Sequence, residues 1–314
     1  MHQKITIPLI KSSILLNNHS TTKVSTKNRN FAKINKNALL IMGTIFSRIL
    51  TDARNRLRTI TNRDLKKAGL TAFKVRKLKY STNSRPAQFN LNGQIIHYLS
   101  GTELLYSLRE IFIDEIYKIK FDKPDPYILD CGANIGLSVF YLKKLYPDAR
   151  IIAFEPDKSS FSLLKLNSSN LKDVTVLNKA VWKETTKISF ASSGTLSSKI
   201  VRETSITDTN IVEAIRLKDY LDRPIDLLKL DIEGAEYEVL RDAKESLGII
   251  KNLFIEYHGK FEQNGELNEI FNLLYEAGFV YYIKEASDNY HTPFYREQKE
   301  RQYDIQLNIF CFKK

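Results

Sequence analysis

The run Tyr127-Ile-Leu-Asp-Cys-Gly-Ala-Asn-Ile-Gly-Leu-Ser138 reads as a buried strand, a tight glycine turn and the start of a helix, on the skeleton Asp130-x-Gly132-x-x-x-Gly136. The next apolar run, Ile151-Ile-Ala-Phe-Glu155, ends in a second carboxylate. A glycine turn after one strand and an acid after the next can hold a nucleoside. The backbone of Gly132, Ala133, Asn134 and Gly136 would lie under the ligand, and Glu155 would accept from both ribose hydroxyls. A dinucleotide turn is usually G-x-G-x-x-G, with its glycines placed for a pyrophosphate. Here one of those glycines is missing and Asp130 precedes the turn. A carboxylate there repels a pyrophosphate but suits a ligand with positive charge, so Asp130 is expected to meet a cationic end, directly or through water. S-adenosylmethionine carries a sulfonium and an ammonium, and the turn reads as a methyl-donor site. Asn178 and Ala180, just after the third strand, fall where an adenine ring would rest in a doubly wound sheet. The competing reading of the glycine turn is that it only lets a helix pack on the sheet.

A second constellation is Leu227-Leu-Lys-Leu-Asp-Ile-Glu-Gly-Ala-Glu236. Alternate residues of a strand share a face, so Lys229 and Asp231 point the same way. A lysine inside an apolar strand is costly unless paired, which predicts a carboxylate partner. The bland reading is a structural ion pair. The functional one sets Asp231 at the carboxyl end of a central strand, beside the cleft where open α/β sheets bind ligands, with Glu233 and Glu236 at the next helix start. A third stretch, Phe254-Ile-Glu-Tyr-His258, closes the fifth strand. Methylation of an oxygen needs the hydroxyl in line behind the methyl carbon, and a base helps to remove its proton. His258 is the candidate base, with Glu256 on its face to orient it; a histidine merely bonded at a strand end is the alternative. Asp231, Glu233 and His258 are thus the expected catalytic group. No metal site is assigned, because no His/Cys cluster has zinc spacing; magnesium on Asp231 and neighbouring oxygens is the one arrangement left open.

Taken together, Lys229-x-Asp231-x-Glu233-Gly234-x-Glu236, Asp130-x-Gly-Ala-Asn-x-Gly136 and Phe154-Glu155-Pro156 resemble the FkbM family of S-adenosylmethionine-dependent methyltransferases. The resemblance runs over about residues 110–280 and keeps motif order; Cys131 stands where an aliphatic residue is more usual. It implies an O-methyltransferase acting on a hydroxyl of a sugar, a glycan or a secondary metabolite, and does not name the acceptor. Two other activities compete. One is nucleic-acid methylation using a basic N-terminal arm, although the chain lacks an Asn/Asp-Pro-Pro-Tyr motif and a Pro-Cys nucleophile. The other is an NAD-dependent oxidoreductase. A binding protein that kept the fold without catalysis is a further alternative.

The elements that must position these residues are legible from periodicity. The chain has 314 residues, of which 43% are hydrophobic, and a net charge of +12. The charge is lopsided: residues 1–80 carry 18 Lys and Arg against Asp52 and Asp64, whereas residues 81–314 are mildly acidic. Residues 1–36 read as a basic tail without fixed structure. Asn37 to Ile60 has helical spacing with arginines off the apolar stripe, a basic amphipathic helix that could join two subunits or meet nucleic acid or an anionic surface. No apolar run approaches the roughly 20 residues that span a bilayer. No secretory signal pattern is read at the N-terminus, and Cys131 and Cys311 make no disulfide framework; a reducing cytoplasm is expected.

Residues 37–126 are expected to form this helix and a cap. Within the cap, Asp64–Ala68 reads as a short helix, Phe73–Lys79 as a half-exposed strand, and Asn92-Gly93 as a hairpin turn. Ser100 with Glu103 opens a further helix. From residue 127 onward strands and helices alternate, broken by an irregular section at 182–215 and closed by two strands with no helix between them. This predicts a Rossmann-like class I methyltransferase fold over 127–314: a mostly parallel seven-stranded sheet with a C-terminal antiparallel hairpin, behind an N-terminal helical and hairpin extension.

Overall fold

The computed structural model describes residues 62–191, 199–200, 209–295 and 301–313. They belong to one unit of the chain, residues 52–314. The expected tail and the amphipathic helix, with the subunit or polyanion contact read from it, lie outside the described residues.

The cap comes first. Helix α1 (Asn62–Lys67) stops at Gly69, which has φ +62°. Helix α2 (Ala72–Lys79) replaces the strand expected there. Thr71 decides the matter locally: its side chain accepts from the Lys74 N–H and satisfies one of the free donors at a helix start. Strands β1 (Thr82–Leu91) and β2 (Gln94–Ser100) form an antiparallel hairpin. Its turn residues Asn92 and Gly93 both have positive φ, the geometry that matches strand twist. Ser100 caps helix α3 (Gly101–Leu108) through the Glu103 N–H, and one π-helical turn, Arg109–Ile113, follows.

The main sheet uses β3 (Tyr127–Cys131), β4 (Arg150–Phe154), β5 (Val174–Leu177), β10 (Leu227–Leu230), β11 (Asn252–Gly259), β12 (Val280–Glu285) and β13 (Ile305–Phe312). Their order is β5-β4-β3-β10-β11-β13-β12, and only β13 runs antiparallel to its neighbours. The chain therefore starts in the middle, steps outward through β4 and β5, and returns to β10 on the other side of β3. The strand order reverses between β3 and β10, the switch point where open α/β sheets leave a crevice at their carboxyl ends.

The central strands are largely apolar on both faces, as a sheet covered on both sides requires, whereas the edge strand β12 is mostly exposed. On one face Leu129, Cys131, Leu228, Leu230, Ile255 and Ile309 join a core with α6 (Glu236–Asp242) and α7 (Asn264–Glu276). On the other, Ile128, Ile151, Ala153, Leu227 and Phe254 join a core with α4 (Leu137–Leu145), α5 (Lys158–Ser168) and the cap. The cap is clasped to this second face by Asn167 of α5. That buried amide accepts from the His97 N–H at 2.7 Å and donates to the carbonyls of His97 at 3.0 Å and Ile135 at 2.8 Å.

The section read as irregular holds a second sheet. Strands β6 (Ala180–Trp182), β7 (Thr186–Ala191), β8 (Lys199–Ile200) and β9 (Thr209–Arg216) are arranged β6-β9-β7-β8. Trp182, Val212 and Ala214 bury their side chains in the first core. β6 and β8, three and two residues long, are too short for periodicity to register, and among the described residues no helix separates the longer β7 and β9 to mark an alternating unit.

Gly132 is the tightest point of the fold. Its φ is +84°, and a Cβ there would sit 1.8 Å from the Asp231 carbonyl oxygen. Gly132→Ala is expected to unfold more easily than wild type, because left-handed backbone strain alone costs about 1–3 kcal/mol and the β3–β10 contact must also open. Thermal denaturation checks this; an unchanged midpoint would contradict the packing described.

Candidate active site

The carboxyl ends of β3, β4, β10 and β11 bring the expected residues into one region. The turn after β3 is pinned to the neighbouring strand: the N–H groups of Gly132 and Ala133 both donate to the Phe154 carbonyl, at 3.0 and 2.9 Å. The chain then passes through Asn134, at φ +49°, to Gly136, whose φ of +87° starts α4. Glu155, at the end of β4, reaches back to this turn. Its Oε2 accepts from the Asn134 N–H and its Oε1 from the Asp157 N–H, both at 2.8 Å. Burial pushes the Glu155 carboxyl up to about 7, the two backbone donors offsetting part of that cost. Asn178 donates to the carbonyls of Glu155 and Pro156 and so fixes the backbone that presents this carboxyl. Ala180 starts β6 and is a buried core residue rather than an open surface for a ring.

Asp130 has a different immediate task from the ligand contact expected of it. It is wholly buried. One oxygen accepts from the Ser138 hydroxyl at 2.5 Å and the other lies 3.3 Å from the Lys229 ammonium. A carboxylate so enclosed organises protein groups; it does not face a crevice. Lys229 is its counterpart and confirms the expected pairing twice over. Its Nζ also stands 3.2 Å from Asp231 and donates to the Gly132 carbonyl at 2.9 Å, beneath the Tyr117 ring. Burial by itself would lower the Lys229 pKa, but Asp231 and Asp130 outweigh it and hold the ammonium charged well above its ordinary range.

Beyond Asp231 the chain makes a strained loop, with Glu233 at φ +57° and Gly234 at φ +97°. Two side chains hold it. Buried Glu236 accepts from the Ile232 and Gly234 N–H groups at 3.1 Å, and the Tyr303 hydroxyl donates to the Glu233 carbonyl at 2.8 Å. His258 is enclosed by acids. Its Nδ1 is 3.3 Å from Glu236, and its Nε2 is 3.6 Å from Glu256 and 3.8 Å from Glu233. Tyr303 packs against the ring.

This corrects the base assignment. Burial would lower the His258 pKa, yet Glu233, Glu236 and Glu256 together raise it well above the ordinary value. A shift in that direction favours the protonated imidazole among these carboxyls and weighs against His258 as a free base. Its nearest orienting partner is Glu236, not the expected Glu256. The carboxyls bear the converse effect: burial raises Asp231, and burial raises Glu233 to about 8. Sequence reasoning missed four residues here: Ser138, Tyr117, Tyr303 and Asn308, the last lying opposite Glu256 on β13. Asn308 carried a signal, a polar side chain at a sheet-facing position of the alternating run Tyr303–Phe312; nothing near Tyr117 marked it.

A seven-stranded sheet in this order, with one antiparallel strand and a glycine turn and acidic strand end at its switch point, defines a class I methyltransferase fold. The comparisons specify the family. Residues 130–281 match the Methyltransferase FkbM domain. The protein Methyltransferase sdnD of Sordaria araneosa is 32% identical over 225 residues, spanning 58% of this chain and 84% of that protein. Methyltransferase 1 of Beauveria bassiana is 28% identical over 209 residues, 57% of this chain and 82% of that protein. The 2-O-methyltransferase NoeI of Sinorhizobium fredii is 28% identical over 167 residues, 46% and 69%. The chain belongs to the FkbM methyltransferase family.

Lys229→Met leaves Asp130 buried beside Ser138 alone, and removing one member of a buried pair costs about 3–5 kcal/mol. Chemical denaturation is expected to show that loss, with part of it recovered in Asp130→Asn combined with Lys229→Met. A single-variant cost below that of a surface pair would contradict the role assigned to Lys229.

Proposed function

We propose that this methyltransferase uses S-adenosylmethionine and delivers the methyl group to a hydroxyl oxygen of a sugar, a glycan or a secondary metabolite. The observation that carries the reading is the bond from the Asn134 N–H to Glu155, which joins the glycine turn to the acid of the adjacent strand. The residues fit the ligand. A carboxylate offers about four acceptor positions, and backbone donors take only two of those of Glu155, leaving capacity for two ribose hydroxyls. The surplus of acids at the strand ends favours a cationic ligand over a pyrophosphate.

When bound, the donor supplies an electrophilic methyl carbon on a sulfonium. The chain's own groups do the rest. Gly132, Ala133, Asn134 and Gly136 present backbone beneath the nucleoside, Asn178 steadies the segment that carries Glu155, and Asp130 holds Lys229 and Ser138 in place. Asp231 and Glu233, at the adjacent strand end, accept hydrogen bonds from the acceptor hydroxyl and orient its oxygen, and Asp231 takes the hydroxyl proton as the oxygen gains the methyl group and the sulfonium leaves as a neutral thioether. Orientation of this kind supplies much of the acceleration of a two-substrate transfer. The choice of oxygen is supported by similarity to a relative named a 2-O-methyltransferase.

Calorimetry with the donor tests the first half, and transfer of a labelled methyl group to a panel of sugars and glycans the second. Donor binding is expected in wild type and loss of about tenfold or more in Glu155→Ala, the scale of a lost charged hydrogen bond of about 1.5–3 kcal/mol; equal binding by the two would refute the ribose role.

The pH dependence follows from the raised Glu155 pKa. Ligand hydroxyls donate to the ionised carboxylate, so binding below about 7 must expel a proton and affinity is expected to rise as pH passes through that value. Stability has the opposite sign. The folded state holds more protons than the unfolded between the ordinary 4.5 and about 7, so the contribution of Glu155 to stability falls as pH rises through that window. Glu155→Gln is expected to flatten both profiles, measured by calorimetry and by denaturation.

A further inference from the structure

Asp231, Glu256 and His258 each place one ligand atom within 4.8 Å of the others, at the ends of β10 and β11. The His258 ring divides its two nitrogens. Nδ1 is turned to Glu236 at 3.3 Å, and Nε2 faces Glu256 and Glu233 across gaps of 3.6 and 3.8 Å. Both gaps are too wide for direct hydrogen bonds, and the one to Glu256 is the separation of two donors about 120° apart around an ion bonded at about 2.1 Å. A carboxylate on the far nitrogen is the arrangement that fixes the tautomer of a ligating histidine.

A separate observation comes from β13. Asn308 pairs directly across from Glu256, and opposite residues of an antiparallel pair share a face. Asn308 is 4% exposed, and its Oδ1 has no hydrogen-bond partner. A buried acceptor thus stands beside a carboxyl on the same face with no donor assigned to it. A cation answers that juxtaposition.

We propose that this end of the sheet binds a divalent metal ion through Asp231, Glu256 and His258 Nε2, with Asn308 Oδ1 facing the ion and Glu236 orienting the imidazole. The donor set selects the metal. Two carboxylates and an amide oxygen are hard ligands, the single imidazole is borderline, and there is no thiolate; manganese(II) matches that mixture. Binding of the ion requires Nε2 unprotonated, so uptake releases the imidazole proton. The ion would lie beside Asp231, on the acceptor side of the site, where a hydroxyl oxygen could join its coordination sphere. The site does not depend on the donor reading: its ligands exclude Glu155 and the glycine turn.

The test is titration of the dialysed full chain with manganese(II) chloride, followed by electron paramagnetic resonance. Wild type is expected to remove the free-ion signal up to one ion per chain, and the bound ion to show nitrogen-14 coupling from one imidazole. Asp231→Asn and Glu256→Gln are each expected to weaken binding by about tenfold or more, the scale on which even supporting groups act. Glu213→Gln, at an exposed position of the second sheet paired with Lys179, is expected to bind as wild type does. Three results would overturn the proposal: no depletion of the free ion at millimolar metal, binding without nitrogen coupling, or binding undiminished in both ligand variants. The first would also point to an Asn308 amide turned so that its Nδ2 donates to Glu256. Should either ligand variant fail to fold, the wild-type stoichiometry and nitrogen coupling decide alone. Failure here with donor binding intact would remove the metal and leave the methyltransferase reading standing.

Discussion

A single buried ammonium holds the switch point together. Lys229 reaches from the middle of β10 to Asp130 on β3, to Asp231 at its own strand end, and to the carbonyl of Gly132 in the turn. A charge taken out of water is tolerated only when its partners are close and its donors are used, and here each direction available to the ammonium meets an oxygen or the face of Tyr117. Geometry follows from that demand. The turn cannot drift from β10, because its carbonyl is bound to the lysine and its α-carbon lies against the Asp231 backbone. The acids that would meet ligands are thus placed by one that does not.

The same economy explains the division of labour among the carboxyls. Asp130 and Glu236 are wholly enclosed and spent on protein donors. Asp231, Glu233 and Glu256 keep part of their surface open at the strand ends. Burial, with the mutual repulsion of the acids added to it, pushes Asp231 and Glu233 upward, whereas the same acids outweigh burial at His258 and favour its charged form. An arrangement this costly to maintain is characteristic of sites that meet a cation or a developing charge.

Much of this was legible before the structure. Short apolar runs located the buried strands and period-3.6 patterns the helices between them, and the spacing of Asp130, Gly132, Gly136 and Glu155 pointed to their shared turn. The pairing of Lys229 followed from the expense of a lysine in an apolar strand. Three things were hidden. Strand β6 of the second sheet is only three residues long, so Ala180 looked like a loop position and is in fact core. Helix α2 hinges on one cap hydroxyl, Thr71, that outweighs an apparent alternation. The protonation of His258 depends on Glu233 and Glu236 folding back from β10, a long-range encounter that no local pattern encodes.

The Asn167 clasp bears on how the family could diversify. One amide binds the hairpin and the glycine turn after β3 at once, so the N-terminal segment is stitched to the peptide proposed to lie beneath the donor. Grafting a foreign lid for a new acceptor would tug on that peptide and disturb a step common to every acceptor.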